Sequence, residues 1–405
     1  MAGTAEGVGG RSELAAAPSA APDVRITDVS VVLHDRRTES LAVFGVPDGY
    51  LPMGVLTIDT DLGVQGHGFL SLPGPGPEAV ARQIVTYLKP LLVGQDPLDI
   101  GALWVKMHAR SRFVDPSAIG TVDVALWDIA GKVAGLPVHR LLGTCRHRIP
   151  VYYSSGIHAT AQDYADEAAY WRSRGWGGYK LHPPTAPWSM SEELAPPQAD
   201  IDACVAVHEA VGGEMALMLD ASWAYDYADA LYVGRAIEEL GYVWYEDPLP
   251  AEDIYGYTKL TRHLDIPVLA TEMTLGGLYA LPQWVMQQAT DGLRGDVVIK
   301  GGITGMMKIA HLAEAFNLKC EVHDAYNAMS NVASAHVVMA IPNCDWFEVL
   351  GFNRAGDHSL EHLNYGLAEP LHIDDEGFLH APQGPGLGIG VDWELIDSAR
   401  TGVVT

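Results

Sequence analysis

The chain has 405 residues, 48% of them apolar, which is enough for a large core and too long a chain for one small one. Its 25 basic residues face 51 acidic ones, a net charge of −26. That balance excludes nucleic acid and anionic membrane surfaces as partners, since both need a basic footprint, and any anionic ligand must be met by a local positive site.

In chain order, residues 1–22 are rich in Ala, Gly, Ser and Pro, lack a basic start followed by an apolar core, and are expected to be a disordered tail, not a signal peptide. Residues 23–147 open with VRITDVSVVL and GYLPMGVLTIDTDLGVQGHGFL and continue in helical patterns, so a small α+β domain is predicted. From residue 148 to 360 eight short apolar runs recur, namely VYYSSG, GYKLH, ALMLDAS, YVWYEDP, IPVLATEM, GDVVIKGG, KCEVHDAY and WFEVLG. Helix-like stretches ending at Gly or Asn separate them, the pattern of a parallel (β/α)8 barrel. Residues 361–405 exceed what eight units need and are expected to return to the first domain. No apolar run reaches the roughly 18 residues that cross a bilayer. Cys145, Cys204, Cys320 and Cys344 form no CxxC pair, which fits reduced packing thiols in a cytoplasmic protein.

A polar residue stands near the end of seven of these runs: Lys180, Asp220, Glu246, Glu272, Asp296, His323 and Glu348. The intervals are 40, 26, 26, 24, 27 and 25 residues, about the length of one βα unit. Each therefore takes the equivalent place at the C-terminal rim, where barrel enzymes keep their chemistry. Asp220, Glu246 and Glu272 come from consecutive strands. Three converging carboxylates repel one another unless their pKa values rise or a cation sits among them, and an all-oxygen set suits Mg²⁺, with Mn²⁺ also fitting. His323 and Asp296 can pair, fixing the imidazole tautomer. Lys180 and His182, two apart in a strand, share one face. An acid/nucleophile pair of the glycosidase kind does not account for three clustered acids plus an Asp–His pair.

These motifs, with TVDVALWDIAGK (121–132) and DVVIKGGITG, resemble the enolase superfamily and specifically its mandelate racemase subgroup, over nearly the whole chain from residue 24. The resemblance implies Mg²⁺-dependent abstraction of the proton α to a carboxylate, giving an enediolate. The outcome it favours is dehydration of a sugar acid, with racemase, epimerase or cycloisomerase chemistry as the alternative. It implies that Lys180 polarises the substrate carboxylate, that Asp296 and His323 are the acid/base dyad, and that Glu348 hydrogen-bonds the carboxylate with a raised pKa. The subgroup carries Lys-x-Lys where this chain has Lys180 and His182, so His182 is expected either to act as a base or only to bind substrate. Lys300 does not match a catalytic position and is read as structural. The long, Pro-rich excursion after strand two makes Trp188 a pocket candidate, and Trp223 and Tyr326 make the mouth aromatic. A capping-domain loop over about residues 34–52 is expected to close the mouth, with Arg36, Arg37, Phe44 and Tyr50 as contacts. A small carboxylate is the expected partner, and a dimer or octamer is the assembly the resemblance suggests.

Overall fold

The structure is a computed structural model that describes residues 23–38, 49–71, 75–187, 195–351 and 356–405. Three antiparallel strands open the chain: β1 (Ile26–Thr38), β2 (Gly49–Thr60) and β3 (Gln65–Leu70). Helices follow, of which Ile100–His108 and Pro116–Ala134 matter most here. The second starts at Asp115, whose side chain accepts from Ser117 N at 2.9 Å, and stops at Gly135 in the left-handed region, a cap that favours glycine.

Eight parallel strands then form the barrel: β4 (Arg148–Ser154), β5 (Gly178–Leu181), β6 (Ala216–Asp220), β7 (Trp244–Glu246), β8 (Val268–Ala270), β9 (Gly292–Gly295), β10 (Lys319–Val322) and β11 (Phe347–Leu350). Ladders run unbroken from β10 through β9, β8, β7, β6, β5 and β4 to β11. At the remaining seam, between β10 and β11, carboxylates replace the ladder. Glu321 accepts from Asp345 N at 3.0 Å and Trp346 N at 3.3 Å, and Glu348 accepts from Asp324 N at 2.9 Å. Buried amides that lack a strand partner need such acceptors.

Two strands close the chain, β12 (Phe378–His380) and β13 (Arg400–Val404). The C-terminal segment serves both halves: β13 pairs with β1, while β12 pairs antiparallel with the start of β4. The stretch 121–132 is where capping helix meets barrel. Asp123, fully buried, accepts from Thr304 N (2.9 Å) and Thr304 Oγ1 (2.7 Å). Asp128 accepts from His67 N (3.1 Å) and Leu387 N (3.0 Å). Gly120 lets the helix approach the turn after β9, since a Cβ there would lie 2.5 Å from the carbonyl oxygens of Val297 and Val298. Among the described residues no helix is long and apolar enough to cross a membrane. All four cysteines are free thiols, Cys145 exposed and the other three buried.

Inside the barrel, Tyr152, Met218, Trp244 and Leu269 form an apolar plug. One step toward the C-terminal ends, the interior side chains turn ionic. That change of chemistry within two residues of each strand places the site.

Candidate active site

Asp220 ends β6 and Glu246 ends β7, while Glu272 lies two residues past β8. One carboxylate oxygen from each lies within 4.8 Å of the others, and all three residues are buried. Oxygens bound to one Mg²⁺ sit about 3–4.2 Å apart, so small side-chain adjustments would let all three reach one ion. Their electrostatics differ. Burial works against the Asp220 charge, but Lys180 and His182 outweigh it and hold the carboxyl well below its usual range. Burial pushes Glu246 up to about 7 despite Arg294 and Lys180. Asp247, just beyond, is driven well above its usual range by burial and by Glu272, Asp220 and Glu246. Two cations reach these carboxylates: Lys180 lies against Asp220, Glu246 and Glu348, and Arg294 against Glu246, Glu272 and Glu348. The buried all-oxygen donor set fits a divalent cation.

Two histidines flank the triad, His182 at Asp220 and His323 at Glu272. The Nδ1 of His182 lies 2.6 Å from the Ser155 carbonyl oxygen, which only accepts, so Nδ1 carries a proton and Nε2 faces Asp220 Oδ2 at 3.1 Å. The Nδ1 of His323 meets Asp296 Oδ2 at 3.1 Å, and Nε2 faces Glu272 Oε1 at 3.5 Å. Asp296 is itself fixed, because its Oδ1 accepts from Val298 N (2.6 Å) and Ile299 N (2.9 Å). In both rings Nδ1 is committed and Nε2 is the nitrogen left for chemistry. Burial opposes the charge on His323, but Glu272, Glu348 and Asp296 outweigh it and raise the imidazole to about 9.

Beneath the triad, Lys180 Nζ is 3.0 Å from Glu246 and 2.7 Å from Glu348. Glu348 Oε2 accepts from Arg294 Nη2 at 2.6 Å. Burial favours the neutral form of Glu348, but Arg294, Lys180 and His323 together hold it well below the ordinary carboxylate range; the rise expected for Glu348 concerns its place beside a substrate carboxylate. Arg294 was missed by the sequence reading. Its signal was an arginine two residues before Asp296, inside a short run that reads as a buried barrel strand.

The other candidates divide. Tyr326 reaches the site, its hydroxyl donating to Glu272 Oε1 at 3.3 Å and its ring 4.9 Å from that of His323. Trp223, at φ 66°, follows Asp220 and donates its amide to the Asp247 carbonyl. Arg36 is engaged elsewhere: it is buried, 4.7 Å over the Tyr365 ring and 3.3 Å from His362 Nδ1, which joins β1 to the C-terminal segment. Arg37 and Tyr50 are paired across β1 and β2 and exposed. Trp188 and Phe44 lie outside the described residues. The sixth strand also differs from expectation. It ends at Gly295, and Asp296 opens a turn, so Lys300 does not continue the face of Asp296. Lys300 Nζ instead donates to the Thr271 carbonyl at 2.7 Å, and burial lowers its pKa to about 8. Beside Glu272 and Lys300 a cavity of about 420 Å³ opens between the capping helix Ile100–His108 and the loop after β8, walled by Trp104, His108 and Tyr279.

Comparison with known proteins agrees with this architecture. Residues 48–143 match the mandelate racemase / muconate lactonizing enzyme N-terminal domain, and residues 163–395 match the enolase C-terminal domain-like family. Arabinonate dehydratase of Saccharolobus solfataricus is 31% identical over 88% of this chain and 92% of its own length. L-talarate/galactarate dehydratase of Salmonella typhimurium is 32% identical over 68% of each chain. The crystal structure of D-glucarate dehydratase from Agrobacterium tumefaciens, complexed with magnesium, superposes with a TM-score of 0.81 at 35% identity, covering 93% of this chain and 99% of its own. The chain belongs to the enolase superfamily, in its mandelate racemase subgroup.

Proposed function

We propose that the protein is a divalent-metal-dependent enzyme that removes the proton α to a carboxylate, and that its reaction is the dehydration of a sugar acid. The observation that carries this reading is the buried triad flanked by two histidines, each with Nδ1 committed and Nε2 turned inward. Asp220, Glu246 and Glu272 would hold Mg²⁺; Mn²⁺ suits the same oxygens. When bound, the ion supplies Lewis-acid stabilisation of the negative charge that develops on the substrate carboxylate.

The chain's own residues do the rest. Lys180 adds a fixed positive charge for that carboxylate. In its neutral form, the minor one near pH 7 for a ring raised to about 9, His323 takes the α-proton on Nε2 while its Nδ1–H stays donated to Asp296, which stabilises the imidazolium formed. His182, lying between two acceptors, gives its Nε2 proton to the β-hydroxyl. The C–H electron pair becomes the Cα=Cβ bond, the Cβ–O bond breaks, water leaves, and the enol tautomerises to a 2-keto acid. The named activities of the arabinonate, talarate/galactarate and glucarate dehydratases support this class. The same pair of histidines also suits epimerisation, in which the proton returns from the other side of the triad.

The test is formation of 2-keto acid from a library of aldonic and aldaric acids, with Mg²⁺ and after chelation. Turnover of at least one acid, abolished by chelation and restored by Mg²⁺, is expected. Turnover that survives complete removal of divalent ions would overturn the reading.

A further inference from the structure

The ionic layer beneath the triad has an order that the metal alone does not require. In a (β/α)8 barrel the interior is built in layers of four side chains, drawn from alternate strands. Here the second, fourth, sixth and eighth strands of the barrel, β5, β7, β9 and β11, contribute Lys180, Glu246, Arg294 and Glu348. All four are at most 1% exposed. Their charges alternate around the barrel axis, and every neighbouring pair is in contact. Lys180 meets Glu246 at 3.0 Å, Glu246 meets the Nε of Arg294, Arg294 meets Glu348 at 2.6 Å, and Glu348 meets Lys180 at 2.7 Å. The ring closes on itself and is neutral. It rests on the apolar plug, where the Tyr152 hydroxyl accepts from Arg294 Nη2 at 3.2 Å.

Lys180 alone could neutralise one of the two acids. The second requires Arg294, whose guanidinium has donors along two edges and spans from Glu246 to Glu348 as an ammonium cannot. Arg294 Nε also lies 3.6 Å from Glu272, so the same group touches two members of the triad.

We propose that Arg294 is a positioning residue that closes a four-membered charge ring and thereby holds Glu246 and Glu272 in place for the divalent ion. This rests on the metal-dependent reading above. Outer-shell partners of this kind are worth 10–100-fold in metal affinity.

The ring and its link to the metal are tested separately. In chelator, thermal unfolding is compared for wild type, R294M, E348Q and the double variant R294M/E348Q. Each single change leaves the buried ring with one unbalanced charge, which the second change removes, so the double variant should lose clearly less in Tm than the two losses added. Additive losses would overturn the ring, whatever the metal does. Mg²⁺ affinity is then measured calorimetrically on the purified apoproteins. R294M should bind at least about tenfold more weakly than wild type, with R294K recovering part of the difference. An R294M that is less stable but binds Mg²⁺ as wild type does would make Arg294 merely structural. If R294M does not fold, R294K and the double variant carry the same affinity comparison. A wild-type protein that binds no divalent ion would overturn both the metal reading and the positioning role, while the unfolding cycle would still decide whether the ring exists.

Discussion

His323 shows how one residue's role depends on the groups around it. Its Nδ1 can serve only as donor to Asp296, and Asp296 is aimed by two backbone amides. Asp296→Asn keeps the shape but offers an amide in place of an acceptor of full charge. That change is expected to lower kcat by about 10²-fold or more while leaving the Mg²⁺ affinity near wild type, as read by steady-state kinetics and calorimetry. An unchanged kcat would remove Asp296 from the proton relay. The residues of this site were legible to different degrees. Lys180, Asp220, Glu246, Glu272, Asp296, His323 and Glu348 stood out because a repeating unit puts equivalent residues at regular intervals. Arg294 stood out less because a buried arginine is intelligible only once its partners on other strands are known. The surroundings of Glu348 were hidden for the same reason: the two cations that hold it ionised, Lys180 and Arg294, are 168 and 54 residues away in sequence. Arg36 looked like a free cation near the mouth, and only the fold brings Tyr365 and His362 onto it.

At the scale of elements, strain gathers at the rim. Ser222, Trp223, Asp247, Thr271 and Tyr326 all have positive φ and all follow barrel strands that carry site residues. Such conformations cost roughly 1–3 kcal/mol each and persist only where surrounding structure enforces them. The strands themselves were read correctly in number and order. The end of β9 was not, because DVVIKGG looks extended by composition whereas Asp296 captures the amides of Val298 and Ile299 into a turn. The capping helix bears on this turn through Gly120. Gly120→Ala would place a methyl within 2.5 Å of two carbonyl oxygens and force the helix off the turn. A loss of about 1–3 kcal/mol is expected, seen as a Tm lowered by several degrees, with reduced kcat because Asp296 sits in the turn that moves. A Tm equal to wild type would show that the contact is not tight.

For the whole molecule, buried histidines join parts distant in sequence. His336 Nδ1 accepts from His139 N at 3.1 Å, and Nε2 donates to the Leu387 carbonyl at 3.0 Å. Burial lowers its pKa to about 3, and burial with Arg36 does the same for His362. Each folded-state pKa is below the unfolded value near 6.5, so the unfolded chain binds more protons in that window. The stability contributed is full above about pH 6.5 and is lost as pH falls toward 3, by up to roughly 1.4 kcal/mol per pH unit for each group. Denaturant unfolding between pH 7 and 5 should show this loss, and His336→Gln should flatten it. An identical slope in the variant would contradict the assignment. The net charge of −26 is a property of the whole chain, whereas a substrate is chosen by a few residues at the barrel mouth, which is why composition bears on classes of partner and not on the substrate.

The most direct measurement is solvent exchange of the substrate α-proton, followed by proton NMR in D₂O with Mg²⁺ and a panel of sugar acids. Loss of the α-proton signal of at least one acid is predicted, abolished in His323→Asn, with the accompanying product distinguishing dehydration from epimerisation. Exchange that proceeds unchanged in His323→Asn, or turnover of an acid without any cleavage of its α C–H bond, would contradict proton abstraction by this site.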